Sequence, residues 1–263
     1  MTRPDADQLV LKVLNTTEVR NGQSLLEAVE HRDPEVGLVT VCNHTSTIDD
    51  PFVIATLLPV RFLWQERLHH KTRWSLCAKE ICFQNAVLEQ FFRSGKVMPI
   101  ERGQGLHQQA MRVAGARAAI GDWVHLFPEG KVIYGGSLGR CKWGVGKVVC
   151  DCVNKSGRAP VVLPFFHSGM GHVMPKGSVV PSVGKHVTVT VGQPLDVSDL
   201  TPLCGAKAED DQHKAWRSIT ERIASALQEL EARTPPNRVQ IEGHGKPAAP
   251  GQQQPPLEPH PTA

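Results

Sequence analysis

His44 and Asp49, five residues apart in Asn43-His44-Thr45-Ser46-Thr47-Ile48-Asp49-Asp50, have the types that general-base chemistry uses. On one ideal helix this spacing splays two side chains by roughly 140°, so they would not meet there. In a loop that folds back on the start of the next helix they can meet. The carboxylate would then accept the imidazole Nδ1–H, fix the tautomer, leave Nε2 bare as a base and stabilise the imidazolium once Nε2 takes a proton. A substrate hydroxyl could attack directly, so no serine or cysteine nucleophile is required. The competing reading is a surface loop whose polar residues only cap a helix. Asp50, followed by Pro51, suits such an N-cap.

Two further residues occupy similar places. Arg102, between Glu101 and Gly103, follows a short apolar stretch and could grip a phosphate with its planar fork. Glu129 and Gly130 follow another such stretch in Phe127-Pro128-Glu129-Gly130, where proline fixes the exit and glycine admits a close ligand. A solvated arginine and an ordinary turn are the plain alternatives.

The elements that must hold these residues follow a strand-then-helix rhythm. Strands are expected at 37–42, 96–100, 123–127, 160–166 and 186–191, being short, β-branched or aromatic and bounded by turn formers. Helices are expected at 25–32, after Asp50, and at 86–93, 104–120, 143–154 and 212–232, the last with Trp216, Ile219, Ile223, Leu227 and Leu230 on one stripe. The pattern predicts a single α/β domain with a mixed, mostly parallel central sheet flanked by helices. His44, Arg102 and Glu129 then fall at the C-terminal ends of strands, where open α/β sheets carry their ligands. The domain is expected over 36–233, preceded by a lead segment, 1–35. The tail, 234–263, holds eight of the twenty prolines and only three large aliphatics, too few to offset its ordering entropy, and is expected to be disordered.

Bulk properties remove several function classes. A net charge of +3 argues against nucleic acid as the main partner, and 40% hydrophobic residues are too few for a multi-span membrane protein. The longest apolar run, Phe52 to Val60, is about half of the roughly 20 residues that cross a bilayer. Arg3 lies close to Asp5 and Asp7, unlike a signal or transit peptide, so membrane contact is expected from one side. The seven cysteines are odd in number and lack C-x-x-C spacing; they read as reduced thiols, with no metal expected. There is no complete G-x-G-x-x-G dinucleotide motif.

The His-x-x-x-x-Asp pair, the strand-Arg block, Phe127-Pro128-Glu129-Gly130 and the strand Val161-Val162-Leu163-Pro164 together resemble the four blocks of glycerolipid acyltransferases. Glu80-Ile81-Cys82-Phe83, Gly121-Asp122-Trp123-Val124-His125, Lys142-Trp143-Gly144 and His167-Ser168-Gly169-Met170 extend the resemblance, which covers about 36 to 195. It is closest to the phospholipid–lysophospholipid transacylases of that family. The resemblance implies a peripheral mitochondrial membrane enzyme that remodels cardiolipin and related phospholipids without coenzyme A or other cofactor. It implies His44 as base, Asp49 as its orienting partner, and Arg102, Glu129 and Gly130 around the glycerophosphate of the acceptor. Phospholipid and lysophospholipid are the implied substrates. An anionic membrane surface would be met by Trp64, Arg67, Lys71, Arg73 and Trp74, since tryptophans favour the headgroup region and bases favour anionic lipid. Two rivals stay open: an acyl-CoA-dependent lysophospholipid acyltransferase with the same pair, and an inactive lipid-binding protein, against which the presence of both His44 and Asp49 weighs.

Overall fold

The computed structural model describes residues 14–59, 62 and 72–236. Trp64, Arg67, Lys71, residues 1–13 and the tail from 237 lie outside them. The central sheet has five strands: β1 (Thr16–Arg20), β2 (Leu38–Cys42), β5 (Trp123–Leu126), β6 (Val161–Ser168) and β7 (His186–Val191), in the order β1-β7-β6-β2-β5. Only the β6–β7 pairing is antiparallel. A second parallel pair, β3 (Ser75–Ala78) and β4 (Val97–Ile100), adjoins it. Trp74 bridges the two sheets: its N–H donates to Trp123 O (2.7 Å) and its C=O accepts from His125 N–H (2.7 Å).

The alternation of side chains along β2 sorts the core into two layers. Val39 and Val41 pack with Val124, Leu126 and Val162 against α5 (Gln109–Ala119), α6 (Gly144–Ser156) and α8 (Glu209–Arg233). Leu38 and Cys42 face the other way, with Trp123, Leu163 and Phe165, against α1 (Gly22–Glu30), α2 (Asp49–Leu57) and α7 (Met170–Val173). Each fully buried aliphatic in these layers contributes about 1.5–3 kcal/mol relative to exposure. At Gly146 two helices of the first layer meet by backbone contact. A Cβ there would lie 2.1 Å from Trp216 O, so α6 and α8 meet this closely only because position 146 has no side chain.

The sheet and its flanking helices follow the expected class, with corrections in detail. The fold begins before residue 36. β1 pairs along its length with β7, and Leu25 and Val29 of α1 are buried, so residues 16–30 belong to the domain and not to a separate lead. Helix α5 starts at Gln109, not Gln104. Gly103 and Gly105 adopt positive φ, and the Gln108 side chain ties the turn by donating to Glu101 O and Gly105 O while accepting from Glu101 N–H. Asp50 is not an N-cap: its backbone is extended and its buried carboxylate accepts from Arg73 Nε (2.7 Å). Four of the seven cysteines are paired rather than free, as Cys77–Cys82 and Cys150–Cys204, whose Cα atoms lie 6.1 and 4.8 Å apart, within disulfide reach. Between β3 and β4, after the short helix α3 (Lys79–Cys82), helix α4 (Ala86–Ser94) has no buried residue, and Ile81, Val87 and Phe91 are exposed.

Candidate active site

β2, β5 and β6 run parallel, so their C-terminal ends open on one edge of the sheet, and three chain segments converge there. After β2 the chain makes a tight loop into α2, and Asp49, fully buried, gathers it. Its Oδ2 accepts from Thr45 N–H (2.7 Å), Ser46 N–H (2.9 Å) and the His44 ring at Nδ1 (3.0 Å), with His167 Nε2 at 3.4 Å. Burial alone would raise this carboxyl's pKa, but the His167 and His44 rings and their hydrogen bonds outweigh it and hold it well below the usual carboxylate range. An ionised carboxylate only accepts hydrogen bonds, so Nδ1 of His44 carries the proton of that contact and the neutral ring keeps Nε2 bare.

The His44 ring is stacked on Phe127, 3.9 Å between centroids and 14° from parallel, so its plane is set by β5's exit. Glu129 sets its backbone. Oε2 accepts from His44 N–H (3.0 Å) and Oε1 from Gly139 N–H (2.7 Å), while Ile133 N–H donates to His44 O (2.7 Å). Glu129 is 1% exposed, and burial raises its pKa against the lowering pull of those two amides. Both of its oxygens accept from backbone amides, so Glu129, read from the sequence as a substrate contact, clamps the loop that carries His44. Gly130 (φ 66°) lies in the left-handed region, and its N–H closes the turn on Phe127 O.

At the ends of β2 and β6, Asn43 and His167 lock the base of the site. The Asn43 amide donates to His167 O (2.9 Å) and accepts from His167 N–H (2.9 Å), while His167 Nε2 lies 3.0 Å from Asn43 O. Below them runs a buried polar chain. Trp123 Nε1–H donates to Thr40 Oγ1 (2.8 Å), which meets His125 Nδ1 (2.8 Å); His125 Nε2 lies 3.6 Å from Cys42 Sγ, and that thiol donates to Asn43 O (3.2 Å). Burial lowers the pKa of His125 to about 4, so this ring is neutral.

A cavity of about 460 Å³ borders the clamp, lined by Glu129, Lys131, Ile133, Arg140, Cys141, Lys142 and Trp143. Arg102 lies elsewhere. Its half-exposed guanidinium pairs with Glu80 (3.2 Å) at a separate groove shared with Lys79, Phe83 and Glu101, so β4's end does not join the ends of β2, β5 and β6. Arg73 and Trp74, read from the sequence as membrane contacts, have partners within the fold. Arg73 is held by Asp50, while the Trp74 indole donates to Asp122 (3.0 Å) beneath the Arg117 guanidinium, 4.2 Å from the ring centroid.

The model of the Acyltransferase family matches residues 18–175, three-fifths of the chain and every segment of this site. The chain belongs to the acyltransferase family. Among curated relatives, Tafazzin of Drosophila melanogaster is 38% identical over 230 residues, 86% of this chain. N-acylphosphatidylethanolamine synthase of Arabidopsis thaliana is 36% identical over 211 residues, covering 78% of this chain and 71% of its own length. This family member spans 58% of the length of the Drosophila relative. A solved structure, the 1-acyl-sn-glycerophosphate (LPA) acyltransferase PlsC from Thermotoga maritima, aligns at 20% identity with a TM-score of 0.49 over 83% of this chain and 74% of its own.

In this acyltransferase-family chain the sequence singled out His44 and Asp49 correctly as neighbours and missed their supports. Asn43 and His167 are polar residues at strand ends, the same signal that drew attention to Glu129. Phe127 stands in the sequence as a strand end and as the first residue of the Phe127-Pro128-Glu129-Gly130 block, neither of which signals a ring stacked on His44. Lys131, Arg140 and Lys142 were legible as three cations within a twelve-residue, glycine-rich stretch, but nothing in their spacing says that they share a cavity.

Proposed function

We propose that this chain transfers a fatty-acyl group from a phospholipid to the free hydroxyl of a lysophospholipid, with His44 as general base, and that cardiolipin and related phospholipids are its substrates. The observation that carries the reading is the His44 Nδ1–Asp49 Oδ2 hydrogen bond of 3.0 Å to a buried, ionised carboxylate. The acceptor hydroxyl gives its proton to His44 Nε2 as its oxygen attacks the donor's ester carbonyl. Asp49 stabilises the imidazolium. The donor's C–O bond then breaks, and the proton passes from Nε2 to the departing lysophospholipid oxygen. One ester forms, one breaks, and the base is regenerated, which agrees with the coenzyme-independent transfer that the sequence resemblance implies.

The cavity cations Lys131, Arg140 and Lys142 suit the acceptor phosphate better than Arg102, because Glu80 already occupies Arg102 and Glu101 stands beside it. No described helix is long and apolar enough to cross a membrane. Contact from one side, at a mitochondrial membrane by resemblance, draws support from the exposed Ile81, Val87 and Phe91. A second acceptor is favoured by one observation: the Arabidopsis relative is named for N-acylation, and the same base could serve an amine. The test incubates purified chain with labelled phosphatidylcholine and lysophospholipid, with and without coenzyme A, and treats the product with mild alkali. Transfer without coenzyme A into an alkali-labile ester supports the proposal. Dependence on coenzyme A, or an alkali-stable amide, overturns it in favour of a rival.

A further inference from the structure

Away from the His44 edge, three side chains with metal-ligating atoms meet on the surface. Glu209 and His213 lie one turn apart at the start of α8, with His213 Nε2 3.6 Å from Glu209 Oε1. His107 comes from the β4–α5 loop, about a hundred residues earlier. One ligand atom from each of the three lies within 4.8 Å of those of the other two. We propose that His107, Glu209 and His213 form a binding site for a divalent transition-metal ion, zinc being the best fit.

The donor set argues for that class. Two imidazoles and a carboxylate suit zinc, nickel, cobalt or copper, whereas calcium and magnesium prefer oxygen ligands. Zinc bonds of about 2.0–2.2 Å in tetrahedral array place ligand atoms roughly 3.4 Å apart. Closing from 4.8 Å takes about an ångström of movement. His107 and Glu209 are exposed and free to supply it. Other parts of the site are already fixed. The Gln108 side chain ties the β4–α5 turn at Glu101 and Gly105. The rings of His107 and His213 lie 5.8 and 4.9 Å from that of Trp216, which is buried, and His213 lies 5.9 Å from Trp143. Asp210 and Asp211, in the same first turn as Glu209, offset the positive end of the helix. Three protein ligands leave a fourth position for water. The bound ion would tie α8 to the β4–α5 loop and stabilise the fold by mass action. Neither His44 nor Asp49 takes part, so the inference stands or falls apart from the proposed acyl transfer.

The test is zinc chloride titrated calorimetrically into the chelator-treated full chain at neutral pH. One equivalent should bind, and a hundredfold excess over Kd should raise the melting temperature by about 5–10 °C. Nickel should quench tryptophan fluorescence through Trp216 and Trp143. His107→Ala, His213→Ala and Glu209→Gln should each weaken binding at least tenfold and abolish the melting shift, while their metal-free melting temperatures stay near that of the wild type. Because three variants report independently, the loss of one to misfolding leaves the other two decisive. No binding in the wild type, or equal binding in all three variants with the ion at the thiols of Cys42, Cys141 or Cys152 instead, overturns the assignment.

Discussion

The ends of β4 and β5 look alike in the sequence: a short apolar strand, then a charged residue beside a glycine. The chain treats them differently. Glu129, after β5, is buried and accepts two backbone amides; Arg102, after β4, is half exposed and meets one half-exposed carboxylate. The cause lies in the neighbouring strands. β5 has β2 beside it and β6 beyond, all running the same way, so three loops arrive together and their polar groups find partners. Among the described residues β4 pairs with β3 alone, so its loop faces solvent. A charged strand end becomes part of a site when its neighbours end beside it.

The largest effect that could break this contrast is at the converging edge. His44→Ala should lower acyl transfer by 10²–10⁴-fold with the far-UV circular dichroism unchanged, the usual worth of a general base. Asp49→Asn should approach that loss and, unlike His44→Ala, also lower stability by about 1–3 kcal/mol in urea. The Thr45 and Ser46 N–H groups and the His44 ring all meet Oδ2, so the new amide must either turn its NH2 toward them or keep its oxygen there and bury an NH2 without a partner at the Oδ1 position. Near-normal turnover in either variant would remove His44 from the proposed chemistry.

Next in size is an acid-side loss of stability centred on His125. Its folded pKa of about 4 lies below the ordinary 6.5, so between those values the unfolded chain binds more protons than the folded one. Stability should therefore fall as pH drops from 6.5 to 4, by about 3 kcal/mol for this group. Urea midpoints at stepped pH check it, and His125→Asn should flatten the slope through that window.

The third prediction tests the two strand ends against each other. Glu129→Gln should cost about 1–3 kcal/mol and slow transfer, since one amide loses its acceptor and the His44 backbone loosens. Arg102→Ala should change stability by less than about 1 kcal/mol, as exposed pairs do. In transfer assays Lys142→Ala should raise the apparent KM for lysophospholipid several-fold and Arg102→Ala much less. The reverse order would return the acceptor phosphate to Arg102.

The sequence displayed the frame well where burial enforces a pattern. β2, β7 and the stripe of α8 stand within a few residues of where periodicity predicts them, because their apolar faces have one place to go. β1 escaped notice since Thr16-Thr17-Glu18-Val19-Arg20 is a polar, partly exposed edge strand held by backbone pairing to β7, which leaves no hydrophobic signature. β3 hid in four residues after a basic stretch. In the site, His44 and Asp49 were readable because both partners lie in one loop. Asn43 with His167, and Lys131 with Arg140 and Lys142, depend on which strands become neighbours, and local spacing does not encode that. For Arg73 and Trp74 residue type leaves the same ambiguity: an arginine and a tryptophan suit a bilayer surface and equally suit Asp50 and Asp122.

The contact between Gly146 and the Trp216 carbonyl also makes this chain intolerant in a particular way. In a saturation library, the positions lining the cavity should accept many residues at some loss of activity. Position 146 should accept none, because even alanine must push a 25-residue helix off the sheet layer that it covers. A screen for soluble expression would then mark residue 146 as strongly as any catalytic position, although it touches no substrate.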